Sequence, residues 1–274
     1  MEINYDKIDK ELNSFALDKI YELLSSFDHE IMNDAKRQLE NSIINNKIIV
    51  VNKPSQKDIN IFKENIPSAH GPRVKKDGMI HIYPYIYNKD TEWIIKHYIN
   101  EGILTHELCH YIIKLDFESL DESEEKLGHF INEGAVQLLT ELIDKKRYQG
   151  VEYRKNVELV EILLTKISFE KIFAGNLKEI LSSEQFDEIK EEYFKLSAFI
   201  KEINNFVTKV GTIYGMDYKS IIRRLKMKTT LETINYLKEE LQKLPNSLEK
   251  ENLIEEFDEI LNKFNKEKEV TPKM

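Results

Sequence analysis

The chain has 274 residues, of which 41% are hydrophobic and 32% are charged, and its formal net charge is −9. This apolar content is sufficient for a large core in one or two domains. The negative charge argues against a general nucleic-acid-binding protein, which normally carries a basic face.

The N-terminal segment mixes acidic residues with lysines and lacks the apolar stretch of a signal peptide. No run of about 18 apolar residues is present that could cross a bilayer. Cys109 is the only cysteine, so an intrachain disulfide is excluded. We therefore expect a soluble, cytoplasmic protein with neither a membrane nor a nucleic-acid partner.

The first third of the chain combines helix and strand signals. Apolar residues recur at helical spacing over 8–27, and a second helix is expected over 30–44. The β-branched run at 47–51 predicts a strand. A second strand is expected over 79–87, where Pro84 favours a position at the edge of a sheet.

Helical patterns dominate from residue 91 onward. A break is expected at Gly102, and another helix from about Gly128. Ser182 and Gln185 form a capping box before a long helix that is expected to end near Gly211. Two charged amphipathic helices follow, around 217–243 and 247–265. The fold class is therefore α+β and helix-rich.

The chain contains one His-Glu-x-x-His sequence, formed by His106, Glu107 and His110 in GILTHELCHYIIK. Histidines four apart lie about 40° apart on a helix, so both imidazoles can bind one ion. With 7 histidines and 49 acidic residues in the chain, this motif is expected far less than once by chance. Because the surrounding residues are apolar, the helix is expected to be buried with its polar face turned to a cleft.

Three residues are candidates for the third metal ligand. Glu133 lies on the next predicted helix, and His129 lies one turn earlier on the same face. Asp116 follows His110 by six residues, as in the metzincins, but Ile113 replaces the glycine that ends the helix in that variant. Glu133 is the favoured ligand. Cys109 is expected to be a core residue.

Residues 103–142 resemble the gluzincin metallopeptidases, in particular the zinc aminopeptidases and the thermolysin-like enzymes. The similarity rests on THELCH followed by INEGAVQLLTE. It implies that His106, His110 and Glu133 bind one Zn²⁺ per chain and that Glu107 is the general base. The spacing to Glu133 is longer than in either family, and the Gly-x-Met-Glu-Asn element of the aminopeptidases is absent.

The resemblance also implies a zincin-like fold with a small N-terminal mixed sheet, an active-site helix and a helical C-terminal lobe. We expect a metallopeptidase unit over 1–216, with its sheet at about 47–90 and its active-site helices at about 91–145. A helical extension over 217–274 would pack on it.

The expected function is zinc-dependent hydrolysis of peptide bonds in a peptide or protein substrate. Three tyrosines are candidates to stabilise the oxyanion: Tyr148, Tyr153 and Tyr214. The main alternative is a zincin-like binding or regulatory module without turnover. A helical interaction protein in which the motif is accidental is the third hypothesis. The sequence does not predict the oligomeric state.

Overall fold

The computed structural model describes residues 3–26, 47–53, 73–74, 79–84, 89–111, 113–116, 122–148 and 152–269. These residues form a helix-rich α+β structure with short strands, so the predicted class is confirmed. None of the described helices is long and apolar enough to cross a membrane. The predicted helix at 30–44 lies outside the described residues.

The chain divides into two compact units. Unit 1 contains residues 1–116, 135–148 and 169–175, and unit 2 contains residues 117–134, 149–168 and 176–274. The division falls inside one continuous helix, between Gly134 and Ala135. The expected boundary at residue 216 stays a prediction.

Unit 1 begins with a long helix and a small sheet. Its elements are α1 (Tyr5–Ser26), β1 (Ile49–Val51), β2 (Arg73–Val74), β3 (Ile80–Ile82), α2 (Thr91–Asn100) and α3 (Ile103–Cys109). The strand order is β1-β3-β2, with β1 parallel and β2 antiparallel to β3. The edge position expected for β3 from Pro84 is therefore wrong, since β3 pairs on both sides. Pro84 follows the strand and leaves the pairing intact.

A buried asparagine joins α1 to the sheet. Asn13 is 8% exposed, and its Oδ1 accepts hydrogen bonds of 2.9 Å from the backbone N–H groups of Ile48 and Ile49. Its Nδ2 donates to the carbonyl of Ile49 at 3.1 Å. This side chain thus satisfies backbone groups at the start of β1 that would otherwise be buried without partners.

The expected break at Gly102 separates α2 from α3. Gly102 has φ +71°, a left-handed conformation that glycine adopts without strain. A Cβ at this position would lie 2.5 Å from the ring of Tyr148. Both the backbone turn and the packing therefore require glycine where the metal-motif helix begins.

Helix α3 is followed by a short strand and a long helix. Strand β4 (Lys114–Asp116) pairs with β5 (Ala174–Asn176). Helix α4 (Glu122–Ile143) begins six residues before the start expected at Gly128 and carries Glu133.

Unit 2 is built from helices around an apolar core. After a shared portion of α4 come α5 (Arg154–Leu163), α6 (Leu177–Ile180), α7 (Ser183–Tyr214), α8 (Tyr218–Lys226), α9 (Thr230–Lys243) and α10 (Leu248–Glu269). Helices α7 to α10 share one hydrophobic cluster, which includes Phe206, Phe257 and Phe264.

The capping box at Ser182 and Gln185 is confirmed at the start of α7. The helix ends at Tyr214, with Gly215 in the left-handed conformation at φ +65°, so the end expected near Gly211 is wrong. A Cβ on Gly211 would lie 2.5 Å from Cβ of Tyr218. Gly211 therefore allows close packing inside the helix and does not end it.

The helix expected over 217–243 is two helices, α8 and α9. Thr229 forms a second capping box with Glu232, which starts α9. Helix α5 is fixed to this junction by two side chains. Lys155 Nζ donates to the carbonyls of Leu225 and Lys228, both at 2.7 Å. Glu158 accepts from the backbone N–H and the hydroxyl of Thr230.

Candidate metal centre

Helix α3 places His106 and His110 on one face. Their ring centroids are 5.0 Å apart and the rings are almost perpendicular, at 81°. His106 is 8% exposed and His110 is half-buried. His110 is also the residue at which the helix ends, although no glycine follows it. Two imidazoles in this arrangement can bind the same ion.

Glu133 of α4 meets the two histidines. One ligand atom of each of His106, His110 and Glu133 lies within 4.8 Å of the other two. A metal ion at about 2.0–2.2 Å from each atom requires separations below this limit. The donor set, two imidazole nitrogens and one carboxylate oxygen, is one that zinc accepts, and its spacing could hold a metal ion.

The other two candidates for the third ligand differ from Glu133. The side chain of His129 is 66% exposed, its Nε2 lies 3.7 Å from Oε1 of Glu125, and it is outside the group of three. The backbone of Asp116 lies in β4, and its side chain is outside the described part of the structure.

Gly134, the residue after Glu133, is fixed by its contact with α5. A Cβ at this position would lie 2.4 Å from the backbone oxygen of Asn156 and 2.8 Å from Val160. The side chain of Asn156 also donates a hydrogen bond of 3.0 Å to the carbonyl of Phe130. The glycine of the Asn-Glu-Gly sequence thus lets α5 pack directly against the helix turn that carries Glu133.

Gln137 orients His106 and was not predicted from the sequence. Its Oε1 lies 3.2 Å from Nδ1 of His106, and its Nε2 donates to Oε1 of Glu141 at 3.1 Å. Because the Glu141 carboxylate also accepts from the backbone N–H of Tyr148 at 3.0 Å, it fixes the orientation of the amide. The amide oxygen can only accept, so a hydrogen bond at this contact places the proton of His106 on Nδ1, and Nε2 is then the ring nitrogen that can act as a ligand atom. In the sequence, the position of Gln137 one helical turn after Glu133, on the same face of the helix, was the signal that could have indicated this role.

Glu107 lies between the two histidines on α3 and is half-buried. Its place in the chain is the one that the His-Glu-x-x-His motif assigns to a general base. It is not part of the group of three ligands. The role of Glu107 as a general base therefore stays a prediction from the motif.

Cys109 has the properties expected of a core residue. It is fully buried, and burial raises the pKa of its thiol to about 12. The thiol stays protonated at neutral pH, whereas metal binding and nucleophilic attack need the thiolate.

The candidate tyrosines differ in their surroundings. The hydroxyl of Tyr148 donates to Oδ2 of Asp144 at 2.6 Å, and burial followed by this hydrogen bond raises its pKa. Lys19 pairs with the other oxygen of Asp144 at 2.7 Å. The hydroxyl of Tyr214 lies 3.3 Å from Oγ of Ser247. Tyr153 is the residue before α5, where it is partly buried.

Comparison with models of known protein families, with curated proteins and with solved structures finds no match for this chain. The functional interpretation therefore depends on the residues and geometry of the chain itself.

Proposed function

We propose that this protein is a zinc-dependent metallopeptidase with a zincin-like arrangement of the gluzincin type. The observation that carries the proposal is the group formed by His106, His110 and Glu133, whose ligand atoms lie within 4.8 Å of one another. Catalytic zinc sites use three protein ligands and keep a further position for water or substrate, whereas structural sites are closed by four. Within the described residues the group has three members.

The hydrogen bonds around the ligands support the same proposal. Metal-binding histidines commonly donate their second ring N–H to an oxygen atom, which fixes the ring and the tautomer. His106 has this partner in Gln137. The burial of His106 at 8% exposure also removes water that would otherwise compete for the ligand nitrogen.

When bound, zinc lowers the pKa of a coordinated water to about 7 and polarises the substrate carbonyl. The residues of the chain then have separate tasks. His106, His110 and Glu133 hold the ion. Glu107 accepts a proton from the attacking water and donates it to the amine that leaves when the peptide bond breaks.

The substitution Glu107→Gln tests the proposal, because it keeps the size of the side chain and removes its basicity. Turnover of a peptide library should fall by about 10²- to 10⁴-fold, while zinc content stays at one ion per chain. Glu101→Gln is the control, since Glu101 is exposed at the end of α2. Equal activity of Glu107→Gln and the wild type, or the same loss in both variants, would contradict the role of Glu107.

A zincin-like binding module without turnover is the second candidate. This candidate is favoured by the hydrogen bonds of two of the candidate tyrosines. The hydroxyl of Tyr148 is bonded to Asp144, and that of Tyr214 to Ser247. Neither is thus a ready donor for the oxyanion. The two candidates are separated by assaying zinc-loaded protein with a peptide library. Zinc binding without cleavage by the wild type would favour the module.

A further inference from the structure

Helix α8 and the two residues after it carry a concentration of positive charge that contrasts with the rest of the chain. Residues 219–228 contain five basic and no acidic side chains, in a protein whose formal net charge is −9. The following residues, 229–261, contain nine acidic and three basic ones. The basic side chains, which together we call the α8 basic face, are Lys219, Arg223, Arg224, Lys226 and Lys228.

The helix is fixed in the unit by its opposite side. Leu225 is 3% exposed within the hydrophobic cluster, and Tyr218, Ile221 and Ile222 pack against that cluster. Lys219, Arg223 and Lys226 are spaced by four and three residues and therefore share one side of the helix. These three residues and Arg224 are exposed. Four of the five residues of the α8 basic face are thus exposed to solvent on a helix that packs against the hydrophobic cluster.

The positive charges are incompletely neutralised within the unit. Lys226 Nζ lies 3.5 Å from Oε2 of Glu152, and Lys228 Nζ lies 5.2 Å from the ring centroid of Tyr236. In the part of the chain that the structure describes, Lys219, Arg223 and Arg224 have no ion pair or side-chain hydrogen bond. Three cations are therefore available to a partner.

Helix stability explains only some of these charges. Cations in the last turn interact favourably with the helix dipole, which applies to Arg223, Arg224 and Lys226. Lys219 lies in the first turn, where a positive charge is unfavourable. The helix dipole therefore does not account for Lys219.

The length of the face and its acidic surroundings indicate the kind of partner. Helix α8 has nine residues and is about 14 Å long. Duplex DNA carries a charge about every 1.7 Å and, like an anionic membrane, continues far beyond such a site. Only the charges within about 8 Å of the face would be attracted at physiological salt, and the acidic residues of 229–261 would repel any charges that came near them. A short acidic segment can bind to the face without extending to those acidic residues. The guanidinium groups of Arg223 and Arg224 can each bind one carboxylate through two parallel hydrogen bonds.

We propose that the α8 basic face is a docking surface for a short, glutamate- or aspartate-rich segment of a partner protein. This surface is independent of the metal centre and does not require the chain to be an enzyme. Binding is electrostatic, so it weakens as the salt concentration rises.

The test uses the full chain and a fluorescently labelled glutamate-rich peptide of about ten residues, long enough to cover the helix. Fluorescence anisotropy gives the dissociation constant for the wild type, for Arg223→Glu/Arg224→Glu and for the control Lys201→Glu/Lys238→Glu. Both control lysines are exposed, on α7 and α9, and both variants change the net charge by the same amount. The arginine variant should bind about tenfold more weakly, which corresponds to about 1.4 kcal/mol, and the control should bind nearly as the wild type does.

Circular dichroism checks that each variant is folded. If Arg223→Glu/Arg224→Glu does not fold, Arg223→Gln/Arg224→Gln is used in its place. A duplex oligonucleotide and vesicles with anionic lipid are measured beside the peptide. The proposal is overturned if the peptide does not bind, if both variants lose the same affinity, or if the oligonucleotide or the vesicles bind more tightly than the peptide through the same arginines.

Discussion

Two regions of the molecule bury different kinds of side chain. The first is the helix pair α3 and α4, and the second is the group of helices α7 to α10. The first pair buries His106, Gln137, Thr140 and Thr105, and the hydroxyl of Thr105 has no hydrogen-bond partner within the described residues. Helices α7 to α10 share a cluster of aliphatic and aromatic residues, and their charges lie mainly outside. Buried polar groups cost stability unless they are paired, whereas buried apolar groups contribute to it. Substitutions in the two regions should thus affect different properties.

The largest loss of stability is expected from Phe257→Ala in α10. Phe257 is 2% exposed, and its ring centroid lies 5.4 Å from that of Phe206. Removing a buried phenylalanine side chain costs about 3–5 kcal/mol in free energy of unfolding. Chemical denaturation checks this, with Ile254→Ala, which is 36% exposed on the same helix, as the control. Zinc content of the folded fraction should not change, and a loss of zinc in Phe257→Ala would break the comparison.

Gly134→Ala should affect both stability and zinc binding, because the added Cβ collides with the Asn156 backbone beside the turn that carries Glu133. We expect a destabilisation of about 1–3 kcal/mol from overpacking, measured by denaturation, together with weaker zinc binding. Gly215→Ala is the control. An alanine at this positive φ should lower the free energy of unfolding by about 1 kcal/mol. No atom elsewhere in the described residues lies within 4 Å of the new Cβ, so zinc binding should be unchanged. Equal zinc affinity of Gly134→Ala and the wild type would contradict this coupling.

Gln137→Leu should reduce zinc affinity with a small effect on the fold. Loss of the hydrogen bond to Nδ1 frees the ring and the tautomer of His106, and such substitutions weaken metal binding by about 10- to 100-fold. Competition with a chromophoric chelator measures the dissociation constant. Gln242→Leu, at an exposed position of α9, should leave it unchanged. If Gln137→Leu binds zinc as tightly as the wild type does, the orienting role of Gln137 is wrong.

The smallest effect is expected from Thr105→Val, which replaces a hydroxyl that has no hydrogen-bond partner among the described residues with a methyl group of similar shape. Thr105 is fully buried, so removal of the hydroxyl should stabilise the protein by up to about 1 kcal/mol. Thermal unfolding of both proteins checks the sign. A clear loss of stability would indicate that the hydroxyl has a partner.

Local features of the fold were predictable from the sequence. The helix break at Gly102, the strand after residue 47 and the capping box at Ser182 each depend on residues adjacent in the chain. The convergence of Glu133 with His106 and His110 was expected from the place of Glu133 on the next predicted helix and from the resemblance of THELCH and INEGAVQLLTE to gluzincin sequences.

Most of the features that were missed depend on distant residues. Gly211 was interpreted as a helix end because its contact with Tyr218 across a turn is invisible in a local pattern. The split between α8 and α9 was overlooked although Thr229 and Glu232 form a capping box, since the apolar spacing continues across it. Gln137 contacts His106, 31 positions away; its place one turn after Glu133 hinted at this role, and the packing of α3 on α4 shows the contact.

Zinc stoichiometry of the wild type, Glu133→Ala and Glu125→Ala, measured by equilibrium dialysis and elemental analysis, tests the central claim most directly. Glu125 lies on the same helix, and its side chain is 56% exposed. We predict one tightly bound zinc ion per chain in the wild type and in Glu125→Ala, and a large loss in Glu133→Ala. A wild type that binds no zinc, or a Glu133→Ala variant that binds it as tightly as the wild type, would contradict the metal centre.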